Sequence, residues 1–240
     1  MKNYAKIVKG GVVMKRAAYT DLKKILIIFL FFMSVSVIFA ADRQTIKHGY
    51  LDLTNRDTDN IGCINLDGEW EFYWNKLIMP QEFEKNVHHS SSAYIVPSVW
   101  TKYRDGVNKI SGYGTATYRL RIKLKEKKLV GIFVPAQGSA YTLFIDGKPV
   151  IRDGHVGTNY ADEKIEFNPK SYYFIPESEI IEIVIHMSNF TYKKGGLWNS
   201  IMFGNVKEIE KKNASGLFWE TLFLGAVLIM AFYHVALFML

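Results

Sequence analysis

The chain has 240 residues, 49% hydrophobic and 15% aromatic with only 22% charged, a composition that excludes intrinsic disorder. Its single cysteine, Cys63, excludes an intrachain disulfide scaffold. The net charge of +7 is local: residues 1–41 carry Lys2, Lys6, Lys9, Lys15, Arg16, Lys23 and Lys24 against Asp21 alone, so the rest is nearly neutral and offers no basic surface for nucleic acid.

The first predicted element is an export leader. Residues 15–24 are basic, Ile25–Phe39 is apolar apart from Ser34 and Ser36, and Ala40-Ala41 precede the polar Asp42-Arg43-Gln44. This is the pattern of a secretory signal peptide over residues 1–41, and counting from Met14 gives it ordinary length. Fifteen helical residues rise about 22 Å, short of the roughly 30 Å hydrocarbon core. Cleavage after Ala40 puts the bulky Ile38 at the −3 position, so an uncleaved anchor is the alternative. In either case the basic flank stays inside and residue 42 onward is exported.

Residues 42–213 are expected to form one exported domain. Its recurrent signal is alternation at period 2, the mark of half-buried strands. Trp70, Phe72 and Trp74 share one face of the first such strand. Pro80 suits the first position of a short helix within Met79–Val87, and Ala93–Val96 reads as a strand. In Thr117–Leu124, Tyr118, Leu120, Ile122 and Leu124 point inward while Arg119, Arg121 and Lys123 point outward. Leu129–Val134, Tyr141–Ile145 and Pro149–Arg152 follow, the last two joined by Asp146-Gly147, a hairpin signal; Asp67-Gly68 marks another turn. In Ile180–Met187, Ile181, Ile183, Ile185 and Met187 share a face opposite Glu182 and His186. Many short strands with frequent turns predict a mainly β fold, a sandwich or jelly roll.

The final element is Leu217–Leu240, 24 residues in which only Glu220 and His234 ionise. As a helix it spans about 36 Å, enough to cross a bilayer, with Trp219 near its start as an interfacial aromatic. Residues 214–240 are therefore expected to be a transmembrane helix, the first of a longer membrane domain.

Five motifs in order carry a resemblance. They are Leu66-Asp67-Gly68-Glu69-Trp70-Glu71-Phe72-Tyr73-Trp74, Val96-Pro97-Ser98-Val99-Trp100 and Gly112-Tyr113-Gly114-Thr115-Ala116-Thr117-Tyr118-Arg119. Ser139-Ala140-Tyr141-Thr142-Leu143-Phe144-Ile145-Asp146-Gly147-Lys148 comes next, then Ser188-Asn189-Phe190-Thr191-Tyr192-Lys193-Lys194-Gly195-Gly196-Leu197-Trp198. The first four resemble the galactose-binding-like jelly roll at the front of family-2 glycoside hydrolases. With the fifth and the membrane segment, residues 45–240 resemble the extracellular module of bacterial seven-transmembrane receptors with diverse intracellular signalling modules. That resemblance implies a galactose-binding-like jelly roll, six further helices and a cytoplasmic cyclase, kinase or phosphatase output.

Six residues are candidates for ligand binding, each set against packing. Trp100 follows Val96-Pro97 in a loop, where an indole either stacks on a sugar ring or packs beneath the loop. Tyr113 lies between two glycines in the turn before a strand. Arg119 has the planar donor fork that grips a carboxylate or vicinal hydroxyls, against a solvated charged face. Asn189, Tyr192 and Trp198 put an amide and two rings in one loop, where Gly195-Gly196 permits positive φ or the close approach of a ligand. Convergence of Arg119 with the Asn189–Trp198 loop would complete a site for a polar ring.

Other chemistry finds little support in the sequence. The pair His88-His89 and the loop residue His155 lack metal-ligand spacing, and Asp67 and Asp153 do not form a calcium loop signature. Glu69 and Glu71 share a strand face, with nothing to separate their roles as acid and base. The expected protein is a non-enzymatic, membrane-anchored extracytoplasmic sensor without a cofactor. It would bind a carbohydrate or small polar metabolite, with homodimerisation left open. A membrane-tethered carbohydrate-binding or adhesion module without signalling is the alternative.

Overall fold

The computed structural model describes residues 46–85 and 92–239. In chain order the strands are β1 (Tyr50–Leu53), β2 (Cys63–Asn65), β3 (Gly68–Trp74), β4 (Ser92–Val96), β5 (Arg104–Asp105), β6 (Asn108–Lys109) and β7 (Gly114–Leu124). They continue with β8 (Val130–Val134), β9 (Ala140–Ile145), β10 (Lys148–Asp153), β11 (Lys170–Phe174), β12 (Ile180–Asn189) and β13 (Met202–Gly204). Two α-helices are described, α1 (Pro80–Glu84) and α2 (Val206–Met239).

The large sheet runs β10-β9-β12-β7-β3-β4, with β1 parallel to the far half of β7, and the small sheet runs β11-β8-β13-β2. Alternation explains how they face each other. In the central pair, Tyr118, Leu120, Ile122 and Leu124 of β7 and Ile181, Ile183, Ile185 and Met187 of β12 are all buried. Val130, Ile132, Val134 and Phe203 meet them from the small sheet. Each such side chain contributes about 1.5–3 kcal/mol when withdrawn from water. The protein is thus the mainly β sandwich of jelly-roll type that the strand pattern predicted, followed by an apolar C-terminal helix. The signal helix expected over residues 1–41, and the His88-His89 pair, lie outside the described residues.

Asp146 and Gly147 have φ of 46° and 79°, the paired positive values of a type I′ turn, and join β9 to β10 as expected. Asp67-Gly68 instead carries the chain from β2 in one sheet to β3 in the other. The strands that pattern did not reveal, β1, β2, β11, β13 and the β5–β6 hairpin, have two to five residues, too few to establish a period.

The outer face of the large sheet is partly roofed by the segment around α1. Phe83 lies 5.4 Å from the Tyr73 ring, and the Ile78 carbonyl lies 2.7 Å from His186 Nε2. Tyr73 and His186 are therefore buried on what alternation marks as a polar face. Burial lowers the His186 pKa below 6.5, outweighing the opposing effects of the Ile78 carbonyl and of Glu82. The neutral ring's stabilisation is complete above the unfolded-state value and is lost as pH falls through the folded one. Thermal melts from pH 7.5 down to 5 should show a falling Tm, with a smaller fall in His186→Asn; equal slopes would remove His186 as the cause.

α2 starts eleven residues before the apolar run at Leu217. Asn205 anchors it: its N–H donates to the Gly62 carbonyl (3.1 Å), its Nδ2 donates to the Asp59 carbonyl (3.0 Å), and its Oδ1 accepts from Glu208 N (3.0 Å). Ile209, one turn on, is buried next to Gly131 of the small sheet. By length and composition α2 is able to cross a membrane.

Candidate functional site

The site is built at the end of the sandwich where β12 runs out. Asn189, the last residue of β12, is wholly buried. Its Nδ2 donates to the carbonyls of Gly112 and Tyr192 (2.6 Å to the latter), and its Oδ1 accepts from Tyr192 N (3.1 Å). The amide that sequence offered to a ligand is spent on closing its own loop and tying it to the turn before β7.

The closed loop presents two rings. Trp198 is 39% exposed, and its Nε1 donates to the Lys194 carbonyl at 3.0 Å. Its inner face lies on Gly138, where a Cβ would fall 2.3 Å from the indole. Gln137 Oε1 accepts from the N–H of Trp198 (2.8 Å) and Asn199 (3.1 Å), fixing the backbone. Tyr192, also 39% exposed, meets Trp198 edge-on at 6.4 Å. Phe167, half exposed, meets Tyr192 edge-on at 5.9 Å from the 154–169 loop. Glu163 ties that loop down, accepting from Ser188 Oγ (2.7 Å), Phe190 N (2.9 Å) and Thr191 Oγ1 (3.1 Å). Three rings are thus held open to solvent by a scaffold already satisfied.

Two of the six candidates do not join this ring set: Trp100 is buried beneath the loop, and Arg119 lies farther along the sheet. Trp100 has no exposed surface: Nε1 donates to Tyr118 Oη at 2.6 Å, and the ring packs edge-on against Trp74. It explains Gly195, where a Cβ would fall 2.4 Å from the Trp100 ring, so the close approach is made by the core and not by a ligand. Arg119 is held between carboxylates, Nε donating to Glu182 (2.7 Å) and Nη1 to Glu71 (3.2 Å), with the Phe83 ring 4.4 Å from its Cζ. Burial lowers its pKa, but Glu182 and Glu71 more than offset this and leave the pKa raised. Along β7 it is five residues from Gly114, the register partner of Asn189, or about 17 Å away. The expected convergence does not occur. Tyr113 is 46% exposed on the turn whose Gly112 carbonyl receives both Asn189 Nδ2 and Gly195 N, so it borders the loop.

The residues that sequence missed are Phe167, Gln137 and Gly138. Phe167 lies in a loop without periodicity, Gln137 acts as a side-chain acceptor for distant backbone N–H groups, and Gly138 acts through an absent side chain. Asp153 is also committed, accepting from Asn168 N and Nδ2 (3.2 and 3.1 Å). Among the described residues, no three of His, Cys, Asp and Glu group to hold a metal ion.

No protein-family model matches the sequence, and no curated protein matches it significantly. Solved structures do. A GH2 β-galacturonidase from Eisenbergiella tayi bound to galacturonate is 15% identical with a TM-score of 0.42, over 62% of this chain and 26% of its own. A Ruminococcus gnavus β-glucuronidase is 14% identical with a TM-score of 0.45, over 59% and 27%. A Faecalibacterium prausnitzii β-glucuronidase is 10% identical with a TM-score of 0.45, over 62% and 33%. The chain is similar to these proteins over a quarter to a third of their length.

Proposed function

We propose that this chain is the ligand-sensing extracytoplasmic domain of a bacterial membrane signalling receptor. It is exported, tethered by α2 as the first transmembrane helix, and signals to a cytoplasmic output domain. Its ligand is a carbohydrate or similar small polar ring, and the domain binds it without catalysing a reaction. The observation that carries the proposal is the half-exposed pair Tyr192 and Trp198: the Trp198 indole is pinned by its hydrogen bond to Lys194, and Tyr192 is fixed through its backbone by Asn189 with its ring edge-on to Trp198, so the pair presents a face at little entropic cost. Lys193 and Lys194, both exposed, supply donors at the rim. The motif order stated above supports assignment to the seven-transmembrane receptor family, and the direct join of β13 to α2 suits transmission.

Glycan and metabolite arrays on a soluble fragment of residues 42–213 should identify the ligand. Trp198→Ala should then leave the fold intact and weaken binding about tenfold, the scale of one aromatic contact. Unchanged affinity in both Trp198→Ala and Tyr192→Ala would move the site elsewhere.

A further inference from the structure

The outer face of the small sheet and the start of α2 enclose an open cleft of about 1200 Å³. Phe133, Phe167 and Tyr173 wall it on the sandwich side, and Lys212 and Trp219 on the helix side. Phe167 also belongs to the exposed ring set with Tyr192, so the cleft continues the candidate site toward α2. From the buried Ile209 to Trp219 the helix descends about 15 Å. The cleft therefore ends at Trp219 and Glu220, in the first turn of the apolar run, at the depth of lipid headgroups once α2 is in a bilayer.

The lining also has a charge pattern. Glu210 and Glu220 face the space with one lysine, Lys212. A purely anionic head would meet two carboxylates. A head with both phosphate and ammonium satisfies all three groups, its ammonium drawn to the carboxylates and aromatic faces. We infer that this cleft holds the head of a zwitterionic aminophospholipid from the adjoining leaflet. The inference rests on the reading of α2 as membrane-spanning, and it makes the lipid surface part of the sensor's binding region.

The test uses the full chain in nanodiscs containing phosphatidylethanolamine or phosphatidylglycerol with a headgroup-proximal diazirine. After photolysis, the ethanolamine probe should label peptides holding Phe133 or Tyr173 as well as α2, and the glycerol probe should label α2 mainly. Gly216→Trp fills the cleft from a position where a Cβ meets no atom within 4 Å. It should cut sandwich labelling at least fivefold, with helix labelling and circular dichroism unchanged. Labelling confined to α2, equal labelling by the two probes, or indifference to Gly216→Trp would each overturn the inference while leaving ring-ligand binding at Trp198 untouched. Absence of label on α2 would overturn the membrane reading as well.

Discussion

Trp100→Ala should destabilise the domain by about 3–5 kcal/mol, the range for deleting a large buried aromatic. Three observations make this site severe. The indole is fully buried, it packs on Trp74, and Gly195 closes over it with no room for a side chain. Truncation also leaves the Tyr118 hydroxyl without its donor inside the core. Trp100→Phe separates the contributions, because it keeps much of the packing and should cost less than the alanine variant by the share that packing supplies. Denaturant unfolding of the 42–213 fragment measures both. A loss under about 1 kcal/mol for Trp100→Ala would mean that the ring is not part of the cooperative core.

Arg119→Ala should cost about 3 kcal/mol, because removing one member of a buried charge network leaves the others uncompensated. Glu71 and Glu182 are each more than four-fifths covered and converge on the one guanidinium. Glu71 also accepts from Tyr73 Oη (2.8 Å) and Arg121 Nη2 (3.2 Å), so it keeps partners that Glu182 lacks. Adding Glu182→Gln to Arg119→Ala should therefore recover part of the loss, a coupling that a double-mutant cycle reads directly. Additive losses in the double variant would show that Arg119 acts through its packing on Phe83 and not through charge.

What was legible in the sequence follows from what periodicity encodes. In β7 and β12, long alternating runs specify both the strand and its inward face, and every residue the pattern points inward is buried, although Thr117 and Val184 on the other face are buried as well. Tyr73 and His186 depart from it because the roof over the outer face comes from a distant segment around α1. The partners of Arg119 are hidden from the sequence in a similar way: its strand shows a charged face, but only pairing with β3 and β12 places two carboxylates beside it. At the site, the Asn189–Trp198 loop was identifiable by composition, yet composition did not distinguish an amide that closes a loop from one that meets a ligand. Trp100 and Trp198 each follow a strand in a loop. One lies under Gly195 and the other on top of Gly138, a difference set wholly by tertiary contacts.

The clamped start of α2 has a mechanical consequence. With Asn205 bonded on three sides and Ile209 sunk beside the small sheet, the described structure has no slack between the last strand and the helix. The 34-residue helix is then a lever about 51 Å long fixed at one end. A tilt of about 5° in the small sheet would swing its far tip by about 4 Å, about the rise of three helical residues. Amplification of this kind requires only a stiff joint and a long arm, so a shift of under 1 Å in the small sheet becomes several times larger at the other end of the helix.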